Sequence, residues 1–154
     1  DEAAATAAFQ AALDIEPGTV DLLLCLDVLE HLVDPWRVLT ELTALVRPGG
    51  TVVISLPNLR HYKVSLGLVF NGRFDYQPSG LMDRTHLRWF VKDTALDLVR
   101  GAGLEVVRLE RTGKMKPWRP KWLLNKLTFG ALTELYAYQY LIKAQKPLRG
   151  KPDQ

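Results

Sequence analysis

Two short, nearly unbroken apolar runs stand out along the chain: residues 20–26 (VDLLLCL) and 51–56 (TVVISL). Each reads as a strand covered on both faces, although periodicity alone also fits a buried helical segment. Between them Trp36, Leu39, Leu42, Leu45 and Val46 recur at helical spacing. Asp34 is placed to cap that helix and Pro35 suits its first position. Arg47 falls in its last turn, and Pro48-Gly49-Gly50 stops it. Strand, helix, strand predicts two parallel strands joined by a crossover. Their C-terminal ends, at Asp27 and at Pro57-Asn58, should then lie side by side.

The pattern continues in less regular form. Residues 2–13 are alanine-rich and favour helix. Residues 59–70 are mixed helical, broken by Asn71-Gly72 and Pro78-Ser79-Gly80. Residues 83–90 (DRTHLRWF) form a polar and aromatic loop. A helix is expected over 92–101 and a strand over 104–109. Residues 122–135 read as a helical insertion interrupted near Gly130. Residues 136–144 (YAYQYLIKA) alternate as a last strand, and the tail beyond should be loose. Gly101-x-Gly103 follows a helix and precedes a strand, the reverse of a dinucleotide loop.

Composition narrows the class. The 154 residues suffice for one domain with a real core. A net charge of +3 gives no case for nucleic acid. No stretch is long and apolar enough for a membrane span. The single cysteine, Cys25, precludes a disulfide within the chain and points to a reducing, cytoplasmic setting. The N-terminus has no basic start and no long apolar core, so a signal peptide is not expected. It also lacks an initiating Met, as a piece of a longer protein would. The basic segment Arg111, Lys114, Lys116, Arg119 and Lys121 carries no acid. It reads as a solvated loop or as a wall facing an anionic partner.

Several blocks together carry a resemblance: Asp21, then Cys25 to His31 (CLDVLEH), Asp34-Pro35, Leu45 to Gly50 (LVRPGG), Ser55 to Asn58 (SLPN), and residues 83–90. They resemble the second half of a class I S-adenosylmethionine-dependent methyltransferase, nearest in flavour to the ubiquinone-biosynthesis-like family, over roughly residues 20–146. The resemblance implies an α/β, Rossmann-like methyltransferase fold, truncated at the N-terminus, with a mostly parallel sheet and an antiparallel last strand. Residues 1–154 would be a single partial domain, with 111–135 a helical insertion or lid between the last two strands. In the family's order, 20–26, 51–56, 104–109 and 136–144 correspond to strands four to seven. By that resemblance the first three strands, which carry the glycine-rich cofactor loop, are missing or only vestigial in this sequence.

Methyl transfer from a sulfonium centre mostly needs positioning, plus a base when the acceptor is a hydroxyl. By resemblance, Leu26 and Asp27 line the methionine part of S-adenosylmethionine, and Asp14 stands where the adenine-side loop would be. Asp27 also suits a turn cap. His31 and His86 are the candidate catalytic bases, although His31 also suits a hydrogen bond to Glu30 or a loop carbonyl. Glu30, Asn58 and Arg84 are the candidate acceptor contacts, with a pairing of Arg84 to Asp83 or Asp93 as the structural alternative. Related enzymes hold a divalent cation with acid-x-x-Glu-His and a distant His, the pattern of Asp27, Glu30, His31 and His86. Spacing does not establish that convergence, and no metal is assigned from sequence.

Two functions stay open. One is methyl transfer to a small-molecule or saccharide acceptor by the intact protein, this chain alone being inactive or a poor binder of the cofactor. The other is a non-catalytic methyltransferase-like binding or dimerisation module. The apolar, basic-flanked stretch 116–129 fits core packing or a lid, a homodimer face, or peripheral membrane contact.

Overall fold

The computed structural model describes residues 15–113, 120–128, 130 and 132–148. The expected helix at 2–13 and Asp14 lie outside the described residues. Four strands, β1 (Val20–Leu26), β2 (Val46–Pro57), β3 (Glu105–Arg111) and β4 (Gln139–Gln145), form one sheet in the order β1-β2-β4-β3. β1 and β2 are parallel, and β4 runs antiparallel to both β2 and β3. Three strands therefore run one way and the last runs against them. The helices are α1 (Pro35–Leu45), α2 (Tyr62–Asn71), α3 (Lys92–Gly101), α4 (Pro120–Leu127) and α5 (Thr133–Tyr136).

One face of the sheet is packed. Leu23 and Cys25 of β1, Val52, Ile54 and Leu56 of β2, and Tyr140, Ile142 and Ala144 of β4 lie against Leu39 of α1 and Ala95, Leu98 and Val99 of α3. Burial pushes the Cys25 thiol up to about 11, which keeps it protonated and inert.

The other face departs from expectation. Strand β1 is covered on one side only: Leu22, Leu24 and Leu26 are 53%, 55% and 47% exposed. Among the described residues β1 pairs with β2 alone, so its outer edge carries no strand.

The end of α1 also differs. Asp34 caps it as expected, its carboxylate accepting from the Arg37 N–H at 3.0 Å. The helix stops at Leu45, however, and Val46 already pairs with Val20. Arg47 is therefore not in the last turn; it leaves the helix and reaches Asp21. Residues 47–50 bulge outward before the ladder resumes at Leu22 and Thr51. Gly50 is required in that bulge, since a Cβ there would lie 2.6 Å from Val46 Cγ1. At the far end, Tyr136 belongs to α5, and β4 begins only at Gln139.

Candidate active site

Strand β1 ends where a left-handed residue turns the chain. Asp27 has φ +53°, a conformation that asparagine and aspartate tolerate better than most side chains. Ser55 on the neighbouring strand holds it. The Asp27 N–H donates to Ser55 Oγ at 2.8 Å, and Ser55 Oγ donates to Asp27 Oδ1 at 2.9 Å. Gln139, at the start of β4, donates to the same Oδ1. The two parallel strand ends are thus side by side, as the crossover predicts.

A single 3-10 turn, Leu29–His31, follows, anchored by the fully buried Leu29. The loop carrying His86 is stitched onto it. The N–H groups of Leu87 and Arg88 both donate to the Glu30 carbonyl, at 2.8 and 2.9 Å. Arg88 also donates to the Val33 carbonyl. This docking brings His31 and His86 together, with ring centroids 4.7 Å apart in an edge-on arrangement. Trp89 packs on His86 from the loop side, backed by Phe74 and Tyr76.

Glu30, His31 and His86 each offer one ligand atom, and these atoms lie within 4.8 Å of one another. Glu30 is 1% exposed. Its Oε2 and the Nδ1 of His86 are buried without a hydrogen-bond partner among the described residues. Burial, reinforced by the Asp27 charge, raises the Glu30 carboxyl; its own backbone N–H and His31 pull the other way. Burial and the His31 charge lower His86, which favours its neutral form.

His31 is oriented by a short relay. Its Nδ1 lies 3.2 Å from the Thr85 carbonyl and 3.0 Å from Thr85 Oγ1, and that hydroxyl donates to Asp83 Oδ1 at 2.7 Å. Since Thr85 Oγ1 gives its proton to Asp83 and the Thr85 carbonyl can only accept, a proton on His31 Nδ1 suits both contacts. Sequence reasoning did not single out Thr85, although Asp83 two residues earlier forms the Asx turn to its N–H that such spacing favours.

The cluster lines a cavity of about 290 Å³ with Asp27, Asp83, Leu81 and Tyr138. Two expected acceptor contacts are absent from that lining. Asn58 is fully buried, and its amide is spent on the chain itself. Its Nδ2 donates to the carbonyls of Glu134 and Ala137, both at 2.7 Å, while its Oδ1 accepts from the Arg60 N–H. Arg84 is exposed and pairs with neither Asp83 nor Asp93; Asp83 is taken by Thr85, and Asp93 lies beside Lys92. Leu26 stands at the strand end on the open sheet face, beside the cavity-lining Asp27.

An open α/β sheet with a reversed last strand, and a polar cavity at the ends of its parallel strands, defines a class of group-transfer fold. A family model described as a methyltransferase domain matches residues 2–109, and the chain belongs to that methyltransferase family, whose cofactor is S-adenosylmethionine. Curated relatives include two proteins named ubiquinone biosynthesis O-methyltransferase. The one from Cupriavidus pinatubonensis is 34% identical over 61% of this chain and 37% of its own length. The one from Pseudomonas paraeruginosa is 39% identical over 58% of this chain and 38% of its own. The chain spans about two fifths of the length of the curated relatives it matches. Among solved structures, a SAM-dependent methyltransferase from Archaeoglobus fulgidus aligns with TM-score 0.62 at 16% identity, covering 90% of this chain and 65% of the other. One from Thermotoga maritima, described as a possible histamine N-methyltransferase, aligns with TM-score 0.56 at 16% identity, covering 86% and 59%. At that identity both attest the fold alone.

Proposed function

We propose that the intact protein transfers a methyl group from S-adenosylmethionine to a hydroxyl oxygen of a small, ring-bearing acceptor, with a divalent cation held by Glu30, His31 and His86. The observation that carries this reading is the pair of unpartnered buried atoms, Glu30 Oε2 and His86 Nδ1. Leaving such a group unsatisfied costs roughly 1–3 kcal/mol, so the arrangement is poorly explained as a purely structural device. Two imidazoles and a carboxylate suit a borderline divalent ion such as Mn²⁺ or Zn²⁺. The Asp83–Thr85–His31 relay is the kind of outer support that orients a metal-ligating imidazole. A cation there supplies charge that holds the acceptor oxygen and lowers its proton affinity.

The chain's own residues do the rest. Asp27 marks the cofactor rim at the end of β1. Its Oδ1 is held by Ser55 and Gln139, while its Oδ2 bears no hydrogen bond among the described residues. That oxygen would take the hydroxyl proton of a bound acceptor as its oxygen gains the methyl group, the methyl–sulfur bond breaking and the sulfonium leaving as a neutral thioether. Leu81 and Tyr138 share the cavity lining with Asp27. The relatives' printed role in ubiquinone biosynthesis supports an oxygen acceptor rather than a saccharide.

Calorimetric titration of the chelator-stripped protein with Mn²⁺ tests the reading. We expect one site per chain, lost in both Glu30→Gln and His86→Ala. Absence of heat in the folded wild type, or binding unchanged in both variants, would contradict it.

A further inference from the structure

The turn Leu29–His31 is too short to close a hydrogen-bond ladder of its own. Within it the Leu32 N–H donates to the Leu29 carbonyl, and the ladder of α1 begins only at the Asp34 carbonyl, which accepts from the Val38 N–H. The carbonyls of Glu30 and Val33 fall between the two. Their donors come from the loop at 83–90: the N–H groups of Leu87 and Arg88 reach Glu30, and the Arg88 side chain reaches Val33. The loop therefore completes a turn that its own neighbours in sequence leave open.

Arg88 grips both sides of that junction. Its Nη2 donates to the Val33 carbonyl, and its Nη1 donates to the Leu87 carbonyl of its own loop at 3.3 Å. The guanidinium carbon lies 5.9 Å from the centre of the Trp36 ring, in the first turn of α1. The buried Phe90 meets the same ring at 6.3 Å, so the loop holds Trp36 at two points. The Nε of Arg88 is buried with no hydrogen-bond partner among the described residues. Such a group costs stability, and an apolar side chain would fill the space without that cost. A planar fork, however, bonds two carbonyls while its face lies over an indole.

We infer that Arg88 is a positioning residue: its guanidinium latches the loop 83–90 onto the turn and onto α1, and the latch sets His86 against Glu30 and His31. The latch is a property of the chain alone. Its consequence for a bound cation rests on the reading of Glu30, His31 and His86 as the cation site. With the latch released, Leu87 and its half-exposed stretch of loop would hang on backbone hydrogen bonds to one carbonyl, and the His86 imidazole would leave the cluster.

Hydrogen–deuterium exchange of the chelator-stripped protein reads the latch, and calorimetric titration with Mn²⁺ reads its consequence. Arg88→Met keeps the apolar stem and removes the fork. It should speed exchange at Leu87 and along its loop about tenfold, the effect of one hydrogen bond from a charged donor, with α3 exchanging as in wild type. Arg88→Lys should fall between. In the titration, Arg88→Met should weaken Mn²⁺ binding roughly tenfold or more. On that background His86→Ala should add less than about twofold, because the imidazole is already displaced. A role in stability alone would speed exchange in α3 as well and leave the two losses additive. Either result in folded Arg88→Met protein overturns the latch, as does wild-type exchange in the loop. Arg88→Lys carries the same readouts should the first variant fail to fold. A folded wild type that binds no Mn²⁺ would contradict the cation site, and loop exchange would then decide the latch by itself.

Discussion

At the scale of single residues, the candidate site carries a stability cost, and Glu30, buried with one carboxylate oxygen unpartnered, shows it most clearly. Its raised carboxyl pKa reflects burial first and the Asp27 charge second. A carboxyl whose folded pKa lies above its unfolded value contributes stability that is fully present below the unfolded pKa. That contribution is lost as pH rises through the folded pKa. Metal-free protein should therefore lose stability from this group as pH climbs above the ordinary carboxylate range. Glu30→Gln removes the charge and should flatten that dependence. Denaturant titration in chelator should find the variant more stable than wild type near neutral pH, by about 1 kcal/mol; equal or lower stability there would refute the assignment. The identities of Glu30, His31 and His86 were legible in the sequence, because they are chemistry-bearing residue types at strand ends and in a loop. Their convergence was not. It depends on two backbone hydrogen bonds to the Glu30 carbonyl from a loop more than fifty residues away. Asn58 misled for a related reason: an amide after a strand looks like a ligand contact until its partners, Glu134 and Ala137, fold back onto it.

At the scale of elements, β1 is the weak boundary. Leu22, Leu24 and Leu26 form an apolar row with nothing described above it, next to an unpaired strand edge. Such rows promote association. The isolated chain should self-associate, and Leu22→Thr with Leu24→Thr should reduce this in sedimentation velocity while shifting the melting temperature little. By contrast, Ile54→Ala on the packed face should cost roughly 3 kcal/mol. Equal destabilisation by both changes would mean that the open face is covered in solution. Elements with local signals were legible: β1, the Asp34 cap and α3 follow from an apolar run, a capping residue and helical spacing. The end of α1 was not, because the carbonyls of Thr43 and Ala44 in its last turn, and of Val46 just beyond it, accept from Lys146, about a hundred residues downstream. The start of β4 was displaced by α5. Burial alone would raise the Glu134 carboxyl, but the hydrogen bonds from Arg111 and Tyr140 outweigh it and hold it below the usual range. Glu134 thus ties α5 to β3 and β4. For 116–129, α4 exposes Leu123 and Leu127, which keeps a lid, a dimer face and a membrane contact as proposals for that segment.

At the scale of the whole molecule, the chain brings together the rim of the proposed methyl-transfer site from distant parts of its sequence. Asp27 follows β1, Ser55 lies on β2, His86 sits in the loop before α3, Tyr138 precedes β4 and Gln139 opens it. No helix among the described residues is long and apolar enough to cross a membrane. The chain belongs to a methyltransferase family yet spans about two fifths of the relatives' length, so the reaction is a property to be measured on the intact protein. The most direct measurement follows labelled methyl from S-adenosylmethionine to catechol, a small ring-bearing hydroxyl acceptor, first in chelator and then after Mn²⁺ is restored. The account predicts transfer to oxygen that chelation abolishes and the cation recovers, with Glu30→Gln inactive in both states. Transfer that ignores the chelator, or no transfer under either condition, would contradict it.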